Sequence, residues 1–191
     1  PEDIFSLKIT QLRDVMVVRW SVFLMGPGGC GKSQLIKVLG RAQNMFGQKT
    51  TMYFLNPKAV TRNELYGFLH PATREWKDGL LSQIFRDFSN NANLVHEWII
   101  LDGDIDAEWI ETMNTVMDDN KILTLPSNER IRVLPCMKLI FEIRDLKFAT
   151  PATATRAGIL YISEKTQWRN MVCSWVERVV EPYAVKAKWK D

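Results

Sequence analysis

Residues 21–33 read SVFLMGPGGCGKS, and their order decides the fold. Ser21 to Met25 is a short apolar run that stops at a glycine, the pattern of a buried strand. Gly26-Pro27-Gly28-Gly29-Cys30-Gly31-Lys32-Ser33 then fits GxxxxGK[ST] at every fixed position. From Lys32 to Phe46, Leu35, Ile36, Leu39 and Ala42 recur at helical spacing. A strand entering a glycine-rich turn and a helix leaving it make a phosphate-binding loop. Its glycines let backbone N–H groups turn inward as an anion nest, and the helix N-terminus adds its positive dipole end. Lys32 would reach the β- and γ-phosphates, and the Ser33 hydroxyl would ligate Mg²⁺. Gly26 to Gln34 is therefore the expected contact set for the phosphates of a nucleotide.

Outward from this loop the chain alternates. Thr51–Leu55, Trp98–Leu101, Lys138–Ile143 and Gly158–Ile162 read as strands, the first stopped by Asn56-Pro57. Residues 7–19 predict a helix with Ile9, Leu12 and Met16 on one side. Thr73–Phe88 predicts another, with Trp76, Leu80, Ile84 and Phe88 four apart and Gly79 loosening its start. Asp106 can cap a helix over Ala107–Met117 whose inner face is Ile110, Met113 and Met117. Residues 121–135 alternate weakly and read as a small hairpin. Gln167–Val180 is amphipathic, with Trp168, Val172, Trp175, Val176 and Val179 on one side. Strands separated by helices predict an α/β fold: a P-loop NTPase large subdomain with a mostly parallel five-stranded sheet flanked by helices. The expected division is a nucleotide-binding subdomain over 1–163, then a linker and the start of a truncated helical small subdomain over 164–191. Such sheets bind ligands beyond the carboxyl ends of their strands.

The partner to the loop is Trp98-Ile99-Ile100-Leu101-Asp102, a buried strand ending in a carboxylate. Asp102 would hold the Mg²⁺ shell, through water. In hydrolytic sites of this kind the next residue is a glutamate that polarises water; here it is Gly103, which has no side chain to act as a base. Asp104 and Asp106 could compensate only if the loop folds back; helix capping is the plainer role, and for Asp106 the preferred one. Asp145 ends a strand expected beside that of Asp102, where it either faces the γ-phosphate or serves as a surface turn residue. Arg156 stands among small residues, Pro151-Ala152-Thr153-Ala154-Thr155-Arg156-Ala157-Gly158. It is either an ordinary surface ion pair or a charge supplied to a phosphate, in cis or to a neighbour.

The bulk properties narrow the classes. The 191 residues are 46% hydrophobic, enough for a real core, and the net charge of +3 makes no case for nucleic acid. No basic aromatic stripe appears, and no apolar run approaches membrane-spanning length, so neither nucleic acid nor membrane is an expected partner. The opening PEDIFSLKIT has neither a basic lead nor an apolar signal core. Cys30, Cys136 and Cys173 lie far apart without metal-ligand spacing, which fits a reducing, intracellular setting.

Longer stretches resemble the dynein heavy chains, specifically their second AAA+ module. They are Asn56-Pro57-Lys58-Ala59-Val60, Glu64-Leu65-Tyr66-Gly67, Pro71–Gly79 (PATREWKDG), the run LDGDIDAEWIETMNTVMDDNKILTL over 101–125, and Ala149–Thr153 followed by Arg156-Ala157-Gly158. The resemblance implies six AAA+ modules in one polypeptide, arranged as a ring that drives minus-end-directed movement along microtubules. This module would bind ATP without hydrolysing it, with Gly103 as the family's own departure from activity. Arg156 falls on the arginine-finger position, acting in trans on the preceding module, and the sensor position falls near Asp145. The implied partners are the adjacent AAA+ modules, the microtubule, and dynein intermediate and light chains. The wording around Ala157–Tyr161 is closer to axonemal than to cytoplasmic heavy chains, which implies a cilium or flagellum axoneme, with the cytoplasm as alternative. Ala154 and Thr155 depart from the valine and serine expected before the arginine. The competing functions are an active NTPase of a remodelling or translocating machine, opposed by Gly103, and a structural module that has lost nucleotide, opposed by intact Lys32, Ser33 and Asp102.

Overall fold

The structure is a computed structural model of the 191-residue chain, and it describes residues 3–90, 95–118, 120–163 and 168–180. Helix α1 (Asp3–Val18) leads into β1 (Ser21–Met25), and α2 (Lys32–Met45) follows the glycine-rich turn. Next come β2 (Thr50–Leu55), a short α3 (Arg62–Tyr66), the hairpin strands β3 (Gly67–Leu69) and β4 (Trp76–Asp78), and α4 (Leu80–Asn90). The chain continues through β5 (His96–Asp102), α5 (Ala107–Met117), β6 (Ile122–Thr124), β7 (Arg130–Arg132) and β8 (Met137–Ile143). It then forms α6 (Pro151–Arg156), β9 (Gly158–Tyr161) and α7 (Trp168–Trp175), with a π-helical turn over Val176–Val180.

β2, β5, β8, β1 and β9 lie side by side in that order, all parallel. β8 thus stands between the strand that feeds the phosphate loop and the strand that ends in Asp102. Alternation along the strands sorts the core into two layers. Phe23, Ile99, Leu101, Leu139, Phe141 and Ile143 pack on one face with α4 and α5 residues such as Phe85, Trp109 and Met113. Val22, Leu24, Ile100 and Ile140 pack on the other with Leu12 and Met16 of α1 and Leu35, Ile36 and Leu39 of α2.

The strands, α1, α2, α5 and the β6–β7 hairpin stand where their periodicity puts them. The helix expected over Thr73–Phe88 is the exception. Trp76–Asp78 is a strand paired antiparallel with Gly67–Leu69, and helix begins only at Leu80. Gly79 is the reason. A Cβ there would meet the Leu65 carbonyl carbon at 2.5 Å and the Glu64 oxygen at 2.6 Å, so the junction is a close backbone crossing rather than a helical turn. Arg86 then binds Asp78 of β4 (2.9 Å) and Glu129 of the β6–β7 hairpin (2.5 Å), tying both hairpins to α4. The short α3 is nucleated by a capping box between Thr61 and Glu64. Its Tyr66 is buried, and the hydroxyl donates to the Trp109 carbonyl at 2.5 Å.

Among the described residues no helix is long and apolar enough to cross a membrane. In α7 and the following turn, Val172, Trp175, Val176 and Val179 form an exposed apolar stripe. The linker expected from residue 164 falls on 164–167, outside the described residues, as does the end of the chain from 181.

Candidate nucleotide site

The site lies at the carboxyl edge of the sheet, where β1 runs out at Met25. The Gly26 N–H is fixed by the Ile143 carbonyl of β8 (3.2 Å), which pins the loop to the neighbouring strand as it leaves the sheet. Gly28 and Gly29 form the open crest, and Gly29 and Gly31 take φ of 76° and 93°, the left-handed region that an L side chain disfavours. Gly31 is the N-cap of α2, and no side chain caps it. The first N–H groups of α2 thus lack a side-chain acceptor, the arrangement that suits an anion.

Cys30 turns inward and is buried, its sulfur 3.9 Å from the Lys32 ammonium. Lys32 is itself only 8% exposed. Its Nζ donates to the Gly26 oxygen at 2.7 Å and the Pro27 oxygen at 2.8 Å. To reach a phosphate it would have to exchange these carbonyl contacts for charged ones. Ser33 is half-buried in the first turn of α2, and Gln34 beside it is exposed.

Asp102 ends β5 with its carboxylate exposed at the same edge. Gly103 follows, and its N–H is taken by the Glu142 carbonyl at 3.2 Å. The space a side chain would fill here is occupied. A Cβ on Gly103 would lie 3.1 Å from the Asn56 side-chain oxygen and 3.3 Å from Cδ of Pro57. The Asn56 oxygen is engaged as well, accepting the Lys58 N–H at 2.9 Å.

The nearby carboxylates divide by role. Asp104 accepts the Arg144 N–H at 3.0 Å, so it ties the loop after β5 to the end of β8. Asp106 precedes α5 and its carbonyl accepts the Ile110 N–H, the first bond of that helix. Asp145 lies two residues beyond the end of β8, is exposed, and accepts the Lys147 N–H at 3.0 Å in its own turn. That contact is the turn geometry of the two readings left open for Asp145.

The acid from β8 that faces the loop is Glu142, which sequence reasoning passed over. It pairs in register with Asp102 on one side and Leu24 on the other, on the sheet face that α2 covers. The Ser33 hydroxyl donates to its Oε1 at 2.7 Å. Burial raises its pKa above the usual carboxylate value and the Asp102 charge adds to that, while the Ser33 hydrogen bond and Lys32 oppose it. A charged residue inside the apolar strand Met137–Ile143 was the available signal.

Arg156 ends α6. Its Nε pairs with Asp118 after α5, and Nη1 donates to the Ala152 oxygen at 3.2 Å. β9 runs parallel to β1 from Gly158, opposite Val22, to Tyr161, opposite Met25. Arg156 thus precedes the amino end of β9, about 13 Å of strand away from the edge that carries the loop.

The donor set fits a nucleotide with its magnesium ion. The loop supplies backbone N–H groups and one ammonium. Ser33 and Asp102 supply oxygen atoms of the kind Mg²⁺ takes, and beside them Glu142 has a buried Oε2 without a hydrogen-bond partner among the described residues.

Residues 21–157 match the family model for the AAA domain of the dynein-related subfamily. The dynein alpha chain of the flagellar outer arm of Chlamydomonas reinhardtii is 56% identical over 204 aligned positions, covering 100% of this chain. The ciliary dynein beta chain of Tripneustes gratilla is 56% identical over 92% of this chain, and human dynein axonemal heavy chain 17 is 54% identical over 93%. This chain spans about 4% of the length of these curated relatives.

Proposed function

We propose that this chain, which belongs to the dynein-related AAA domains and resembles axonemal heavy chains throughout its length, binds ATP or ADP with Mg²⁺ and does not hydrolyse it. The observation that carries the reading is at the carboxyl edge of the sheet. A loop suited to phosphates stands beside Asp102, and the next position holds Gly103 packed against Asn56 and Pro57 instead of an acid.

Each residue then has a task. The N–H groups at Gly29, Gly31 and the start of α2 receive the phosphates, and Lys32 adds a positive charge once it leaves the Gly26 and Pro27 carbonyls. Ser33 and Asp102 hold the magnesium ion, which when bound neutralises phosphate charge. Asp104 is engaged with the Arg144 N–H and Asp106 stands at the start of α5, and neither takes the position directly after Asp102 from which water would be activated.

In the longer polypeptide we place this module second in a ring of AAA+ modules that drives minus-end-directed movement along microtubules. The relatives' names assign those proteins to flagella, cilia and the axoneme, and we assign this chain to the same location. Its partners would be the adjacent modules, the microtubule, and intermediate and light chains. Arg156 would serve the preceding module. Its position before the amino end of β9, away from the chain's own loop, supports action in trans.

The test is calorimetric titration with ADP in Mg²⁺. The wild type should bind, and Lys32→Ala should bind about 10- to 100-fold more weakly, since a hydrogen bond to a charged group contributes about 1.5–3 kcal/mol. Equal affinities would remove the loop from the site.

A further inference from the structure

β8 separates the phosphate loop from Asp102, and Glu142 is the carboxylate it places between them. Its Cα is in register with Leu24 and with Asp102, so the three side chains leave the same sheet face, under the start of α2. The residue is 8% exposed. Oε1 accepts the Ser33 hydroxyl proton at 2.7 Å. Oε2 is buried and has no hydrogen-bond partner among the described residues. A buried carboxylate oxygen left unpaired is costly, and folded proteins keep one where something else satisfies it. Asp102 aggravates the cost, because a second negative charge stands in the adjacent strand.

A divalent cation held here would relieve both penalties. A serine hydroxyl has one proton and two lone pairs. With its proton committed to Glu142, the Ser33 oxygen presents only lone pairs to its remaining surroundings, the state a metal ligand needs. The two carboxylates supply negative charge and acceptors for the water molecules that Mg²⁺ retains.

We propose that Glu142 is a positioning residue of the magnesium site: it orients the Ser33 hydroxyl toward the ion and shares the ion's hydration shell with Asp102. This rests on the reading of residues 26–33 as a Mg²⁺–nucleotide site. It assigns to β8 a carboxylate that the glycine-rich loop and the Asp102 strand do not supply.

The experiment is calorimetric titration of this chain with ADP, once in MgCl₂ and once in EDTA, for the wild type, Glu142→Gln and Glu142→Asp. Thermal melts confirm folding. The readout is the gain in affinity due to Mg²⁺. In the wild type Mg²⁺ should strengthen binding clearly. In Glu142→Gln that gain should shrink about 10- to 100-fold, as for other residues that orient metal ligands. In EDTA the same variant should bind ADP as tightly as the wild type or tighter, because a negative charge near the phosphates is gone. A merely structural role would weaken both titrations alike. Glu142→Asp keeps the charge and should retain part of the gain, which keeps the test decisive if the amide variant does not fold. An undiminished gain in Glu142→Gln, or in Glu142→Asp should only that variant fold, overturns the proposal and leaves the nucleotide site standing. Absence of any Mg²⁺ gain in the wild type overturns the Mg²⁺–nucleotide reading itself, and this proposal with it.

Discussion

Arg156 and Asp118 form an ion pair at the end of the sheet remote from the phosphate loop, with side chains 30% and 38% exposed. An exposed pair of this kind contributes at most about 1 kcal/mol to stability. Arg156→Ala should therefore leave folding, and nucleotide in this module's own loop, nearly unchanged. In an intact motor it should lower microtubule-stimulated ATPase, since an arginine finger is worth roughly 10³–10⁵ in rate. Arg156→Lys should restore little, because a point charge does not reproduce the planar fork. Steady-state ATPase of the motor, with nucleotide occupancy of this module, checks it. An unchanged rate would leave Arg156 as a surface ion pair, and a rate lost together with this module's nucleotide would mean action in cis.

Gly103→Glu should not create an ATPase. The new Cβ would stand 3.1 Å from an Asn56 oxygen already held by the Lys58 N–H, so the Asn56-Pro57 turn must shift. Overpacking of this sort costs about 1–3 kcal/mol, visible as a lower Tm. Phosphate release should stay at background. A rise in turnover without loss of stability would show that the Asn56-Pro57 wall yields freely.

The Arg86 cluster gives a pH dependence of defined sign. Hydrogen bonds from Arg86 hold Asp78 and Glu129 below their ordinary values of 3.8 and 4.5. Groups with depressed folded-state pKa values stabilise the fold above their unfolded pKa, and lose that contribution as pH falls through the folded one. Their contribution should be complete above about pH 5 and fade below about pH 4. Both carboxylates reach solvent, with side chains 27% and 43% exposed, which limits the total to about 1 kcal/mol. Chemical denaturation of wild type and Arg86→Ala from pH 3 to 7 should show the two curves converging at the acid end. A gap that stays constant with pH would contradict the assignment.

The sheet was legible because its strands are continuous apolar runs with turn signals between them, and because the loop sequence fixes which strand precedes which helix. The Thr73–Phe88 segment misled. Trp76 falls in phase with Leu80, Ile84 and Phe88, but the phase cannot reveal that Gly79 crosses the Leu65 backbone. The loop and Asp102 were equally legible, since both are local patterns. Glu142 was not. Its role depends on β8 lying between β1 and β5, which brings Glu142 against Ser33 across 109 residues of sequence, and no local pattern marks that contact.

On the proposed function, this module holds a nucleotide it does not cleave. The direct measurement is incubation of the chain with ATP labelled at the γ-phosphate and Mg²⁺, followed by rapid separation and identification of what stays on the protein and what is released. Intact ATP should stay on the wild type, with much less on Lys32→Ala, and free phosphate should remain at background in both. Sustained phosphate release by the wild type, abolished by Asp104→Ala or Asp106→Ala, would overturn this and hand the catalytic role to that carboxylate.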